Sequence, residues 1–321
     1  MALVPGKCLS STSDEQLLTY DQNNGSVEDA RTRAAHERTA FPYAFLNNTA
    51  YHSRGALKGK LTLSDGRPAA GAAIFLGDTD TSTRPLVQGS NYYYTTFADA
   101  TGAFSIANIR AGSYGLIAAS NGGSIGDVYT NFTSSPITIS QDETSNLGNL
   151  NWTVSSNPRR IFQIGAFDKK ATGFTNSGPH VHGLTEQSPA NLTFTVGTSK
   201  TADWYYASSK LGTWDVIFNA TRPASATKAL LSVSLAGYSQ STGLGIYLNG
   251  ASAAVGTIGK DVLASDPALY RSGTVSGEWR FLQFEIGVGE VREGRNVLSF
   301  RTERYTLWRG VLWDAVVLEW V

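Results

Sequence analysis

The chain has 321 residues, room for two domains and an extra segment, and its 26 basic residues balance 26 acidic ones. Zero net charge, with no basic stripe and no acidic tail, argues against a nucleic-acid binder and against a solvating tail. Charged residues make up only 16 %, against 33 glycines, 14 tyrosines and 7 tryptophans, which is the profile of a turn-rich all-β chain.

Residues 1–54 differ from the rest. Ser13-Asp14-Glu15-Gln16 fits a capping box and predicts a first helix through Leu17, Leu18 and Tyr20. Ser26-Val27-Glu28-Asp29 predicts the start of a second helix running to about Thr39, with acidic residues early, basic ones late, and Pro42 as its stop. Two short helices cannot bury a core alone. The segment therefore reads as the last part of a larger domain.

From Gly55 the pattern changes to strands. Leu57, Gly59, Leu61 and Leu63 alternate, Ser64-Asp65-Gly66-Arg67-Pro68 reads as a turn, and Ala73–Leu76, Tyr92–Thr96, Phe104–Ile106 and the run after Gly112 read as short strands. One small antiparallel sandwich over 55–156 is expected. The stretches GKLTLSDGRPAAGAAIFLGD and FADATGAFSIANIRAGSYGLIA resemble a carboxypeptidase-regulatory or fibronectin-III-like sandwich, with turn glycines Gly66, Gly71, Gly102 and Gly112. Beyond the boundary at Asn157-Pro158-Arg159-Arg160, eight longer strands are predicted, ending in the apolar Val311–Val321, which is expected to be central. That number of strands over 157–321 favours a jelly-roll sandwich.

Single residues carry weaker signals. The lone cysteine, Cys8, excludes an intrachain disulfide framework. Sequons at Asn24, Asn47, Asn131, Asn151, Asn191 and Asn219 favour a secreted glycoprotein, although Met1–Gly6 lacks a signal peptide's charged start and apolar run. No apolar stretch reaches the length of about 18 residues that spans a membrane. His180 and His182 share a strand face, with Glu186 as the only close acid; a surface pair is expected rather than half a metal site. Asp168, Asp261 and Asp266 read as turn aspartates, since no Asp-x-Asp-x-Asp loop supports calcium. No Gly-x-Ser-x-Gly elbow supports a hydrolase triad. Trp204 and Tyr205 offer either a sugar platform or core packing, and the Tyr92-Tyr93-Tyr94 run is read in the same way. The loop DPALYRSG holds Arg271 beside Tyr270, aimed at an anion or paired with a neighbouring loop.

Several blocks together carry a resemblance: DARTRAAHERTAFPYAFL (29–46), RIFQIGAFDKKATGF (160–174), HVHGLTEQSPANLTFTVGTSKTADWYYA (180–207), DPALYRSGTVSGEW (266–279) and WRGVLWDAVVLEW (308–320). The chain resembles the fungal rhamnogalacturonan lyases of polysaccharide lyase family 4. The resemblance implies an all-β chain: a fibronectin-III-like sandwich (55–156), a carbohydrate-binding-like jelly roll (157–321), and a helical remnant (1–54) of the catalytic domain. It implies cleavage of rhamnogalacturonan I by β-elimination at galacturonate. A proton leaves the carbon beside the uronate carboxylate, and a fixed cation steadies the charge that builds there. The family's catalytic lysine and histidine belong to its N-terminal sandwich. Lys7 and His36 sit in no matching motif, so no catalytic residue is assigned in this chain. Arg271, Tyr270, Trp204 and Tyr205 are the implied substrate-binding residues. A monomeric, secreted partner of rhamnogalacturonan is expected, with no cofactor, metal, nucleic acid or membrane. The competing readings are a stand-alone pectin-binding module and a structural array without ligand.

Overall fold

The computed structural model describes residues 23–80, 92–154, 159–178, 184–239, 242–259, 263, 273–275, 279–304 and 310–321. These fall into two compact units. One holds the residues up to Leu57 with Ala107–Gly112 and Thr138–Ser145; the other holds Lys58–Ile106, Ser113–Ile137 and Asn146–Val321.

Helix α1 (Asn23–Ala40) occupies the second predicted helical stretch, and α2 (Thr49–His52) is a single turn capped by Asn48. α1 begins before Ser26, so Glu28 and Asp29 fall in its second turn and the first turn has no acid. Arg38 in the last turn is the charge that complements the helix dipole. The first predicted helix, with Lys7 and Cys8, lies outside the described residues. His36 is exposed on α1. Around Pro42, the Arg54 guanidinium lies over both the Phe41 and Tyr51 rings, 4.8 and 4.7 Å from their centroids, a pair of cation–π contacts. Among the described residues no helix is long and apolar enough to cross a membrane.

The architecture is all-β, as the alternation requires. The first sandwich has strands β1 (Arg54–Leu63), β2 (Ala73–Gly77), β3 (Tyr94–Phe97), β4 (Ala103–Arg110), β5 (Gly112–Ala119), β6 (Phe132–Ile139) and β7 (Thr144–Trp152). One sheet runs β4–β1–β7, the other β3–β2–β5–β6. Leu61, Leu63, Ile74, Leu76, Phe104, Ile106 and Leu116 are buried, while Lys58 and Lys60 face outward between them, the period-two pattern of a half-buried strand. β6 and β7 escape the sequence reading because Pro136 and Gly148 look like turn residues. β6 is an edge strand, where proline is tolerated.

The second sandwich has β8 (Arg160–Gly165), β9 (Leu192–Thr195), β10 (Ala207–Ser208), β11 (Gly212–Ala220), β12 (Lys228–Tyr238), β13 (Leu244–Leu248), β14 (Gly256–Ile258), β15 (Arg280–Gly287), β16 (Gly294–Thr302) and β17 (Val311–Trp320). Its sheets run β10–β17–β12–β15, with β8 also on β17, and β14–β13–β16–β11–β9. β17 is central and buried along all ten residues. β10 and β8 share one of its edges, β10 against Val311 and Leu312, β8 against Ala315 to Glu319. The core between the sheets packs Trp204, Trp214, Trp313 and Phe300 edge to face or stacked, with centroids 5.0–6.2 Å apart.

Candidate functional site

Arg271, Tyr270, His180, His182, Asp261 and Asp266 lie outside the described residues. Their neighbours place the loop's exit: Gly178 N donates to Gly273 O at 3.1 Å and Ala171 N to Thr274 O at 2.7 Å. Trp204 is not a sugar platform. It is fully buried, edge-on to Trp214 at 5.0 Å, because the turn before it delivers the indole into the gap between the sheets. Tyr205 is half-buried against the same core. In the tyrosine run, Tyr92 is exposed and Tyr93 packs on Phe75, with centroids 5.8 Å apart. Of the sequon asparagines, Asn47, Asn151, Asn191 and Asn219 are exposed and Asn131 is half-buried; the side chain of Asn24 lies outside the described set.

Asp168 belongs to a polar knot. β8 ends at Gly165, and the chain leaves β17 in the gap before β10 begins. Asp314, buried on β17, fills that gap with its carboxylate. Its Oδ1 accepts from Asp168 N at 3.1 Å and Lys170 N at 3.3 Å, and its Oδ2 accepts from Ser234 Oγ. Ser234 Oγ in turn accepts from Trp279 Nε1 at 2.9 Å. Asp168 closes its own turn, accepting from Lys170 N at 2.9 Å and Thr172 Oγ1 at 2.7 Å. Its carboxylate is thus a turn acceptor, and the described residues hold no cluster of metal ligands. Lys169 sits in the left-handed region (φ 62°), which costs a side-chain-bearing residue about 1–2 kcal/mol. Its ammonium lies 4.8 Å from the Trp279 ring centroid. Burial lowers its pKa to about 8 against the opposing pull of Asp314 and Asp168. Burial also raises the Asp314 carboxyl above the usual carboxylate range; the Ser234 hydrogen bond resists this and the Asp168 charge adds to it. Beside the knot, Trp279, Phe281 and Tyr129 stack in a row, with neighbouring centroids 6.1 and 5.1 Å apart. The knot is enclosed, and its geometry is that of a loop anchor.

The open outer face of the sheet β13–β16–β11 carries different chemistry. Leu244, Ile246 and Leu248 point inward, so Gly245 and Tyr247 point outward. The register sets Tyr247 opposite Ser299 and Ser299 opposite Asp215, with Gly245, Arg301 and Thr213 as the adjacent row. The Tyr247 ring lies back across Gly245: a Cβ there would come within 2.7 Å of Cε2 and 3.0 Å of the hydroxyl oxygen. Arg301 rests its guanidinium 4.4 Å from the ring centroid. Tyr247 donates its hydroxyl to Glu303 Oε1 at 2.8 Å, which raises the phenol's pKa. Ser299 Oγ donates to Asp215 Oδ1 at 2.6 Å. A flat ring, a guanidinium fork, two carboxylates and a hydroxyl are thus gathered on the outer face of this sheet. The sequence reading passed over these residues. The signal was an aromatic residue on the polar phase of a strand, two positions after a glycine, in LGIYL, and two ionic residues at the same spacing in FRTER.

Two family models match in order: polysaccharide lyase family 4, domain II, over residues 64–147, and domain III of the same family over residues 160–318. The rhamnogalacturonate lyase of Dickeya dadantii (strain 3937) is 25 % identical over 316 residues, covering 94 % of this chain and 50 % of that protein. The chain thus spans about half the length of that curated relative. Among solved structures, a minor pilin of Streptococcus agalactiae is 20 % identical, covering 34 % of this chain and 48 % of its own, with a TM-score of 0.23. The major pilin SpaD of Corynebacterium diphtheriae is 10 % identical, covering 83 % of this chain and 58 % of its own, with a TM-score of 0.27. These superpositions are too poor to bear on function. With both accessory-domain models falling on it in sequence, the chain belongs to polysaccharide lyase family 4, of which it carries domains II and III.

Proposed function

We propose that the chain is the accessory part of a rhamnogalacturonan endolyase: it holds rhamnogalacturonan I while catalytic groups from the family's N-terminal sandwich cleave it at galacturonate. The observation that carries this reading is the ordered match of domains II and III, supported by a rhamnogalacturonate lyase aligned along nearly the whole chain. In such a β-elimination a base takes the proton beside the uronate carboxylate, a cation steadies the charge, and the leaving oxygen acquires a proton. The Tyr247–Arg301 face suits the holding role. Its guanidinium pairs with a uronate carboxylate, and Asp215, Ser299 and Glu303 accept from or donate to sugar hydroxyls. Arg271, with Tyr270, is the second cation assigned to substrate. A secreted setting accords with a plant-wall polymer as substrate and with four exposed sequon asparagines. The alternative, a stand-alone pectin-binding module, rests on the same face and differs only in lacking a catalytic partner.

Retention on immobilised rhamnogalacturonan I tests the reading. The chain should be retained, and Tyr247→Ala and Arg301→Ala should each weaken retention by about tenfold, the loss of one good polar or ring contact. No retention, or retention untouched in both variants, overturns it. Unsaturated uronate, read by its ultraviolet absorbance once the N-terminal sandwich is supplied, separates the lyase from the stand-alone module.

A further inference from the structure

On the first sandwich, the outer face of β4–β1–β7 forms a groove of about 640 Å³ bordered by β3. Lys58 and Lys60 project from β1 on one face, about 7 Å apart by the strand rise. Ser105 of β4 and Asn149 of β7 flank them. Phe97 stands at the rim with 62 % of its surface exposed, unusual for a phenylalanine on a strand. Asp99 is the acid in this lining, and its carboxylate is already used in its own turn. Its Oδ1 accepts from Thr101 N at 2.8 Å, Thr101 Oγ1 at 2.7 Å and Ala103 N at 3.0 Å. Neither lysine forms an ion pair among the described residues. Two ammonium groups, of which Lys60 alone feels the partial charge compensation of Asp99, beside an exposed ring and an amide call for an anionic ligand with an apolar face and hydroxyls. Uronate sugars have that composition. A phosphorylated ligand would use the cations but leave Phe97 and Asn149 idle.

We propose that this groove is a second uronate-binding site, in which Lys58 and Lys60 hold carboxylates and Phe97 stacks on a sugar ring. It rests on the polysaccharide reading for the identity of the polymer, but on its own residues for the binding. It sits on a different sandwich from the Tyr247–Arg301 face and contributes independently, so the two together would grip a chain by more than either affinity alone.

The test is titration of the isotope-labelled chain with a galacturonate trimer, followed by amide resonances. Saturable shifts are expected at Lys58, Gly59, Phe97 and Ser105. A Lys58→Glu/Lys60→Glu double variant should lose them with the remaining spectrum intact. Phe97→Ser should weaken binding about tenfold, and raising salt to about 0.5 M should weaken it severalfold, as exposed charge pairs are screened. Shifts confined to Tyr247, Ser299 and Arg301 overturn the inference while leaving the proposed function standing. Shifts at Lys58 and Phe97 that survive Tyr247→Ala, with retention on rhamnogalacturonan I unchanged in that variant, support the inference and count against the domain III face. A neutral xylose trimer producing the same shifts also overturns it.

Discussion

At the scale of single residues, Trp204 and Tyr247 show how alike two aromatics look in sequence and how differently a sandwich uses them. Both lie near polar residues and both could face a sugar. Trp204 follows a short helical turn (Thr201–Asp203) and is buried in the core, whereas Tyr247 falls on the outward phase of a strand whose inward phase is already apolar. Alternation carried a signal for Tyr247 that the expected site residues did not include; no local pattern located Trp204. The aspartates divide in the same way. Asp168 was readable as a turn residue, but its burial partner Asp314 is visible only as one of two carboxylates in an apolar strand. Asp314 allows a pH test. Its native pKa is raised, to about 7, above the unfolded value near 3.9, so the native state binds this proton more tightly. Its contribution to stability is therefore complete below about pH 4 and is lost as pH rises through its native value. In Asp314→Asn that loss should vanish: the difference in stability between variant and parent, measured by thermal denaturation, should move in the variant's favour from pH 4 to 7. A difference that stays flat, or moves the other way, contradicts burial as the dominant influence on this group.

At the scale of elements, the break between β8 and β10 along β17 is the feature that positions the knot. Gly165 ends β8 at φ 77°, and a Cβ there would come within 2.2 Å of the Asp314 carbonyl oxygen and 2.7 Å of the Phe174 ring. Gly197 has a similar φ of 85° but open space around it. Gly165→Ala should therefore cost more than about 2 kcal/mol, from backbone strain plus a clash with main chain that cannot give way. Gly197→Ala should cost only about 1 kcal/mol, for the strain alone. Equal midpoint shifts in denaturant would remove the clash from the account. The strands flanking this break were legible in RIFQIG and VLWDAVVLEW. The break itself was not, because it depends on which strand β17 pairs with at each residue. The same limit applies to β6 and β7, whose Pro136 and Gly148 read as punctuation until an edge position and a left-handed backbone (φ 65°) accommodate them.

At the scale of the molecule, residues of both sandwiches lie in one compact unit. Tyr129 of the first packs with Phe167 and Phe281 of the second over Ala315 and Val317. Gln163 Nε2 donates to Gly126 O at 2.9 Å, Phe167 N to the same carbonyl at 2.8 Å, and Lys170 Nζ to Asn121 Oδ1 at 2.8 Å. An apolar patch closed by hydrogen bonds resists separation, so the two sandwiches should unfold together. Fluorescence, dominated by the second sandwich's tryptophans, and exchange at β1 and β5 amides of the first should give coincident transitions in denaturant. Phe281→Ala should split them, and two transitions in the parent would show the junction to be weak. By itself, the sequence determined the all-β class, the order of the sandwiches, the central place of the last strand and the likeness to polysaccharide lyase family 4. Each of these follows from local periodicity, turn chemistry or short sequence blocks. Tertiary structure alone decided that Trp204 is core, that Asp314 anchors the Asp168 turn, and that Tyr247 meets Arg301 while Lys58 and Lys60 share a groove with Phe97. Those outcomes depend on strand register and sheet packing, which join residues far apart in the chain and leave no mark in any single stretch of it.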